Sequence, residues 1–246
     1  SLKKKIHINK RTIPLFLFDS IDSTMNEIKK KKYNNFNEVA VIASQQTQGR
    51  GRRNNNWISD KGNYYLSIRL KQKIQKNFHF ITYVISIVLY DIIKKHILKS
   101  TEVFIKWPND IYLNDKKVCG ILIEFLSYGN KVNDIIIGVG VNINNNPKKL
   151  NNSSTYLKKY SNLTIETLEF TKSILKGTDY WIKILIKNKD IILKEWMKRS
   201  KKINSKIKFY YKDQLVNGIY KGIADDGSIE VLMENKKNNF FNLDLV

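Results

Sequence analysis

Apolar residues recur along this chain with two periods. Between Phe78 and Ile97 they fall at helical spacing through Phe80, Ile81, Val84, Ile85, Val88, Leu89, Ile92 and Ile93, which predicts the main core helix. Two further helices are expected over 165–176 and 180–199, with Trp181, Leu185, Ile192 and Trp196 as packing residues. A short helix is expected over 23–32, where Thr24 and Glu27 have the spacing of a capping box. Strands are predicted over 13–18, 39–44, 103–107, 111–113, 118–126 and 135–141, and 64–70 alternates like a half-buried strand. Asn114-Asp115 and Gly129-Asn130 are the turn signals among them.

Beyond Lys202 the texture changes to short strands, over 206–211, 214–221, 228–233 and 239–245, with turns at Lys212-Asp213 and Asp226-Gly227. The pattern predicts an α+β chain. A mixed β-sheet domain packed with helices is expected over 1–202, and a small C-terminal SH3-like β-barrel over 203–246. Lys29 to Lys32 and the asparagine-rich 142–155 read as loops.

Composition adds little to this frame, but charge raises a question. The 246 residues carry 44 Lys and Arg against 22 Asp and Glu, a formal net charge of +22, which would suit a nucleic-acid binder. The lysines are scattered over the whole length rather than gathered in a stripe, so no nucleic-acid partner is expected. The single cysteine, Cys119, excludes an intramolecular disulfide and a cysteine-based zinc site, and His7, His79 and His96 lie apart, so no metal held directly by His or Cys is expected. No apolar run reaches the ~18 residues of a membrane span. A cytoplasmic location is expected, or an organelle if a targeting segment precedes Ser1.

Four stretches could carry chemistry. In GRGRRNNNW, Gly49 to Trp57, two glycines let backbone N–H groups turn toward an anion while arginines supply charge, although a solvated basic loop has the same composition. In KWPND, Lys106 to Asp110, Pro108 stiffens the exit from a strand and presents an amide and a carboxylate at its end; a plain turn would look alike. In KVCGILIE, Gly120 marks either a bulge or the close approach of a ligand, and Lys117 stands across an expected hairpin from Asp110. GVGVNIN, Gly138 to Asn144, lacks the third glycine of a dinucleotide fingerprint and reads as a glycine-relaxed strand ending in Asn142.

Taken in order, DST (22–24), QTQGRGRR (46–53) with Trp57, KWPND, KVCGIL, GVGVNIN and STYL (154–157) resemble the motif series of the biotin protein ligases. GIYKGIADDGSIEV (218–231) resembles that family's C-terminal domain. The resemblance spans nearly the whole chain. It implies condensation of biotin with ATP to biotinyl-5′-AMP and pyrophosphate, with Mg²⁺, and then transfer of biotin to one lysine of a biotin carboxyl carrier domain of a biotin-dependent carboxylase, with acetyl-CoA carboxylase as the expected enzyme. It also implies a short form with no N-terminal DNA-binding domain, and a homodimer is possible by edge-strand pairing.

The resemblance places biotin against Ser23, Thr24, Gln46, Gly49, Arg50, Gly51, Arg52, Lys117 and Gly120. It places ATP against Arg50, Arg52, Trp57, Lys106, Asn109, Lys117 and Asn142, with Trp57 as a stacking surface. Arg52, Lys117 and Asp110 are the implied catalytic residues, Asp110 either orienting Lys117 or receiving the acceptor lysine. Two positions depart from the family pattern. Met25 stands where Asn usually follows DST, and Asn54, Asn55 and Asn56 replace a glycine and a further cation, Asn54 being the residue suited to a left-handed turn. A lipoate or octanoyl ligase of the same fold and a basic nucleic-acid-binding module are the alternatives.

Overall fold

The computed structural model describes residues 2–8, 10–71, 76–128, 131–147, 153–161, 164–212 and 214–245. Strands β1 (Leu2–Ile8), β2 (Arg11–Ile21), β3 (Glu38–Gln46), β4 (Tyr64–Lys71), β5 (Val103–Lys106), β6 (Asp110–Leu113), β7 (Lys116–Tyr128) and β8 (Lys131–Val141) form one sheet. Its order is β1-β2-β3-β4-β8-β7-β6-β5, antiparallel throughout except for the parallel β2–β3 pair. The expected Asn114-Asp115 turn joins β6 to β7 with both residues at positive φ, 44° and 59°. Gly129-Asn130 lies outside the described residues.

Helices α2 (Ile81–His96), α3 (Thr167–Lys187) and α4 (Lys189–Arg199) cover one face of the sheet and enclose the main core. The other face buries a smaller cluster of Met25, Ile28, Tyr33, Val39, Val41 and Ile136 beneath α1 (Thr24–Glu27). Alternation along β3 feeds both: Ala40 and Ile42 enter the main core, Val39 and Val41 the smaller one. Being covered on both faces, β4 is not the half-buried strand its alternation predicts. Its polar positions are buried with partners, Ser67 Oγ donating to Thr24 Oγ1 at 2.9 Å and Arg69 pairing with Asp134 at 2.5 Å.

Three other expectations are corrected. The helix break near 177–179 does not occur, because α3 runs through Gly177, where a Cβ would meet Val88 Cγ1 of α2 at 2.8 Å; the glycine permits close helix packing. The break falls at extended Asn188, whose side chain caps α4 by accepting from Asp190 N–H at 2.9 Å. The 23–32 helix stops at Glu27, and its cap is Ser23, which accepts from Met25 N–H at 3.2 Å, not Thr24. Glu27 turns instead to Lys30, Lys32 and the Tyr33 hydroxyl, so the lysine tract is an ion-paired 3₁₀ turn rather than a loose loop.

After α4, β9 (Lys206–Tyr211), β10 (Gln214–Ile223), β11 (Ile229–Met233), β12 (Lys236–Phe240) and β13 (Asp244–Leu245) form a five-stranded antiparallel sheet of order β12-β11-β10-β9-β13. The single strand expected over 239–245 is thus two, one on each edge. Tyr83 joins the two sheets: its hydroxyl donates to the Gly227 carbonyl in the β10–β11 turn and accepts from Trp107 Nε1–H at 3.1 Å. This junction brings Leu243 and Leu245 to the cleft described next.

Candidate active site

A cleft of about 240 Å³ opens where the ends of β6, β7 and β8 meet the loop after β3. Its lining brings together Thr24, Gln46, Arg50, Gly51, Arg52, Trp57, Lys106, Asn109, Asp110, Lys117 and Gly120, from stretches far apart in sequence. Five cationic side chains, Arg50, Arg52, Arg53, Lys106 and Lys117, face one carboxylate, Asp110, among the lining residues. Such a cleft favours anions. Ser23, Gly49 and Asn142 are not among the lining residues.

The floor is made by cross-strand partners Gly120 and Gly140 on β7 and β8. A Cβ on Gly140 would lie 2.6 Å from Trp57 Cε2 and one on Gly120 2.8 Å from Trp57 Cζ3, so only glycine lets the indole rest on the backbone here. Lys117 Nζ lies 5.2 Å from the indole centroid, and Trp57 Nε1 is buried without a hydrogen-bond partner among the described residues. Trp57 N–H donates to the Gly49 carbonyl at 2.9 Å, and a Cβ on Gly49 would collide with the Trp57 carbonyl. Gly49 therefore serves the fold of the loop.

A polar relay runs beneath. Ser67 Oγ donates to Thr24 Oγ1, which donates to Gln46 Oε1 at 3.1 Å; Gln46 Nε2 donates to Ser59 Oγ at 2.8 Å, and Ser59 Oγ to the Trp57 carbonyl at 2.9 Å. The sequence reading missed Ser59 and Ser67, since an isolated serine in a loop or strand carries no signal of its own.

The three arginines of the loop reach three different elements. Arg50 pairs with Glu124 of β7 at 2.6 Å and donates to Asn26 Oδ1 at 3.3 Å. Arg52 donates to Asn109 Oδ1 at 3.3 Å, and Arg53 donates to Asn242 Oδ1 beside β13. The left-handed residue of the loop is Arg53, with φ 52° and ψ 41°, rather than Asn54. Glu124, Asn26 and Asn242 were not identified from sequence, because their relevance comes only from what they meet in space.

At the β5–β7 side, Lys117 Nζ pairs with Asp110 at 2.7 Å, the neighbourhood anticipated across the hairpin. Asp110 Oδ1 is buried with no hydrogen-bond donor among the described residues. Lys106 lies 5.0 Å from the Tyr112 ring centroid; burial, helped by the nearby Lys201 and Lys117 ammoniums and opposed by Asp110, lowers its pKa from the ordinary lysine value. Asn109 is built into the frame, Nδ2 donating to the Ile121 carbonyl while its own carbonyl accepts from Ile121 N–H at 3.1 Å. Asn142 Nδ2 donates to the Thr155 carbonyl at 3.0 Å. The chain entering the STYL segment holds Lys117 from the other side: Lys117 N–H donates to Ser153 O at 3.0 Å and Thr155 N–H to Lys117 O at 2.8 Å.

Residues 17–142 match the biotin/lipoate A/B protein ligase family, just over half of the chain and all of the cleft's principal motifs. The chain belongs to this family. Among curated relatives, it is 29% identical over 197 residues to the Bifunctional ligase/repressor BirA of Escherichia coli, covering 77% of this chain and 60% of that protein. It is 34% identical over 123 residues to the Biotin--[acetyl-CoA-carboxylase] ligase of Paracoccus denitrificans, covering 50% and 51%. The chain spans about three fifths or less of the length of the first curated relatives it matches. Among solved structures, the biotin protein ligase of Aquifex aeolicus in complex with biotin and ATP superposes with a TM-score of 0.81 at 24% identity, over 94% of this chain and 98% of that one. That match shows the family's fold over both sheets. Among the described residues no group of three or more His, Cys, Asp or Glu could hold a metal, and no helix is long and apolar enough to cross a membrane.

Proposed function

We propose that this chain is a biotin protein ligase. It joins biotin to ATP, releasing pyrophosphate, and passes the biotinyl group to a lysine of a carboxylase's carrier domain; the name of the Paracoccus relative favours acetyl-CoA carboxylase. The observation that carries this reading is the convergence of Arg52, Lys106 and the Lys117–Asp110 pair on one cleft whose lining also includes Thr24 and Gln46 of the relay. The first step brings a carboxylate against an α-phosphate, and like charges ~4 Å apart repel by about 4 kcal/mol at an effective dielectric near 20. In this reading Lys117 and Arg52 offset that repulsion, and the relay offers hydroxyl and amide groups to a ureido ring.

In the second step the acceptor amine, once deprotonated, attacks the acyl carbon. The C–N bond forms as the C–O bond to AMP breaks, and AMP leaves with the electron pair. The 2.7 Å ion pair favours Asp110 as the group that orients Lys117. Magnesium fits this cleft as an ion carried chiefly by the nucleotide's phosphates, because Asp110 is the one carboxylate among the lining residues. When bound it would neutralise phosphate charge. The division at about residues 202 and 203 belongs to the same proposal: the large sheet ends at Val141 and the small one begins at Lys206.

The test is incubation with biotin, ATP-Mg and a carrier domain. Mass addition of one biotinyl group on the carrier lysine is expected, and its absence overturns the reading. Lipoate in competition separates this function from the family's other branch, and Lys117→Ala is expected to abolish adenylate formation.

A further inference from the structure

Asn63, just ahead of β4, lies outside the lining of the cleft. Yet its Oδ1 accepts from three consecutive backbone N–H groups, those of Ile143, Asn144 and Asn145, at 2.8, 3.1 and 3.3 Å. Its Nδ2 donates to Asn145 Oδ1 at 2.9 Å. Successive N–H groups converging on one point form a concavity of the kind that ordinarily takes an anion. Here a side-chain amide oxygen fills it.

The stapled segment follows β8 directly, and its flanks lead to the catalytic lysine. Asn142, one residue before the staple, receives Leu157 N–H at 2.9 Å and donates to Thr155 O at 3.0 Å. Asn146, one residue after it, donates to Ser154 Oγ at 3.2 Å. Ser153 and Thr155 hold the backbone of Lys117 on both sides. Two further amides brace the same turn, Asn144 Nδ2 donating to Gly62 O at 2.7 Å and Asn145 Nδ2 to Lys61 O at 2.9 Å.

We propose that Asn63 is a positioning residue for the reaction: by filling the concavity over 143–145 it fixes the path of this turn and, through Asn142 and Asn146, the placement of Lys117. The role in the reaction rests on the proposed function; the staple itself does not.

Two readouts keep these apart. In the ligand-free protein, hydrogen exchange at the amides of 143–145 is expected to quicken about tenfold in Asn63→Ala and clearly less in Asn63→Asp, whose carboxylate still accepts all three although it loses the donation to Asn145 Oδ1. In steady state, Asn63→Ala is expected to lower kcat for biotin-dependent pyrophosphate release about tenfold with KM for biotin within about twofold, and Asn63→Asp to restore most of it. Unchanged exchange in Asn63→Ala overturns the staple. Quickened exchange with an unchanged kcat, or a loss in Asn63→Asp equal to that in Asn63→Ala, overturns the positioning role. A parent that releases no pyrophosphate with biotin overturns the proposed function, while the exchange arm still decides the staple.

Discussion

Gly140→Ala tests the geometry of the cleft floor directly. The new methyl would lie 2.6 Å from Trp57 Cε2 and Nε1 and 3.0 Å from Cζ2, where ordinary carbon contacts need about 3.5–4.0 Å, so the indole must retreat by roughly 1 Å. Little around it yields. Trp57 N–H is tied to Gly49 and its carbonyl to Ser59, and Gly120 lies under the other end of the ring. Overpacking of this kind costs about 1–3 kcal/mol, which for a chain of this size lowers Tm by roughly 4–8 °C at the middle of that range. Gly138→Ala, two residues earlier on the same strand and also in the cleft lining, is the comparison: its methyl would meet Met25 Sδ at 2.7 Å and Cγ at 3.1 Å, a buried but unbranched side chain with more rotatable bonds than the tied indole. Calorimetric melting and biotin-dependent pyrophosphate release on both variants are the assays. Gly140→Ala is expected to lose at least about tenfold more activity than Gly138→Ala. A Gly140→Ala protein that melts with the parent and turns over at its rate would show that Trp57 does not depend on the glycine floor.

Three further outcomes follow from other contacts. Glu124→Gln frees Arg50 from its 2.6 Å ion pair, so the loop should hold the adenylate less well; biotin appearing on lysines of a bystander protein should rise about fivefold, and no rise would refute the latch. Because burial, with the neighbouring lysines, lowers the pKa of Lys106, and an anionic nucleotide favours its protonated form, KM for ATP should be lowest below that pKa and climb as pH rises through it. In Lys106→Arg, which stays charged, the climb should vanish; an identical pH profile would rule Lys106 out. Burial alone would raise the pKa of Glu27, but hydrogen bonds from Lys30, Lys32 and Tyr33 outweigh it and hold the value below the ordinary 4.5. Its stabilising contribution is therefore complete above about pH 4.5 and is lost as pH falls through the lowered value. Glu27→Gln should cost about 1–2 kcal/mol at pH 7 in urea unfolding, and the gap to the parent should close on acidification rather than widen.

The sequence exposes what is local and hides what is relational. The strand runs at 39–44, 118–126 and 135–141 all appear, because an apolar run bounded by turn residues needs no partner to be read. Gly177 misleads, because a helix-breaking glycine and a glycine against Val88 look the same in one dimension. Strand β4 misleads for the opposite reason: its alternation is real, but Ser67 and Arg69 face a second core instead of solvent. In the cleft, the stretches dense in Gly, Arg, Lys and Asp announce themselves, and the structure gathers most of them. Glu124, Asn26, Asn242, Tyr112 and Asn63 do not, since each matters only through a side chain or backbone brought to it from a distant element.

That relational layer also ranks the cations. Lys117 is held by Asp110, so for it an incoming phosphate competes with a carboxylate already in place, whereas the Glu124 pair ties Arg50 and its loop to β7. Lys106 makes no ion pair within 4 Å among the described residues and faces the Tyr112 ring, in a setting dry enough to disfavour its charge. A half-buried ammonium in no direct ion pair gains most from an anion, because the arriving charge offsets desolvation already incurred. Nucleotide affinity should therefore depend more steeply on Lys106 than on Arg50, whereas retention of the adenylate should depend on Arg50 and its latch. Lys106→Ala raising KM for ATP no more than Arg50→Ala would reverse that order.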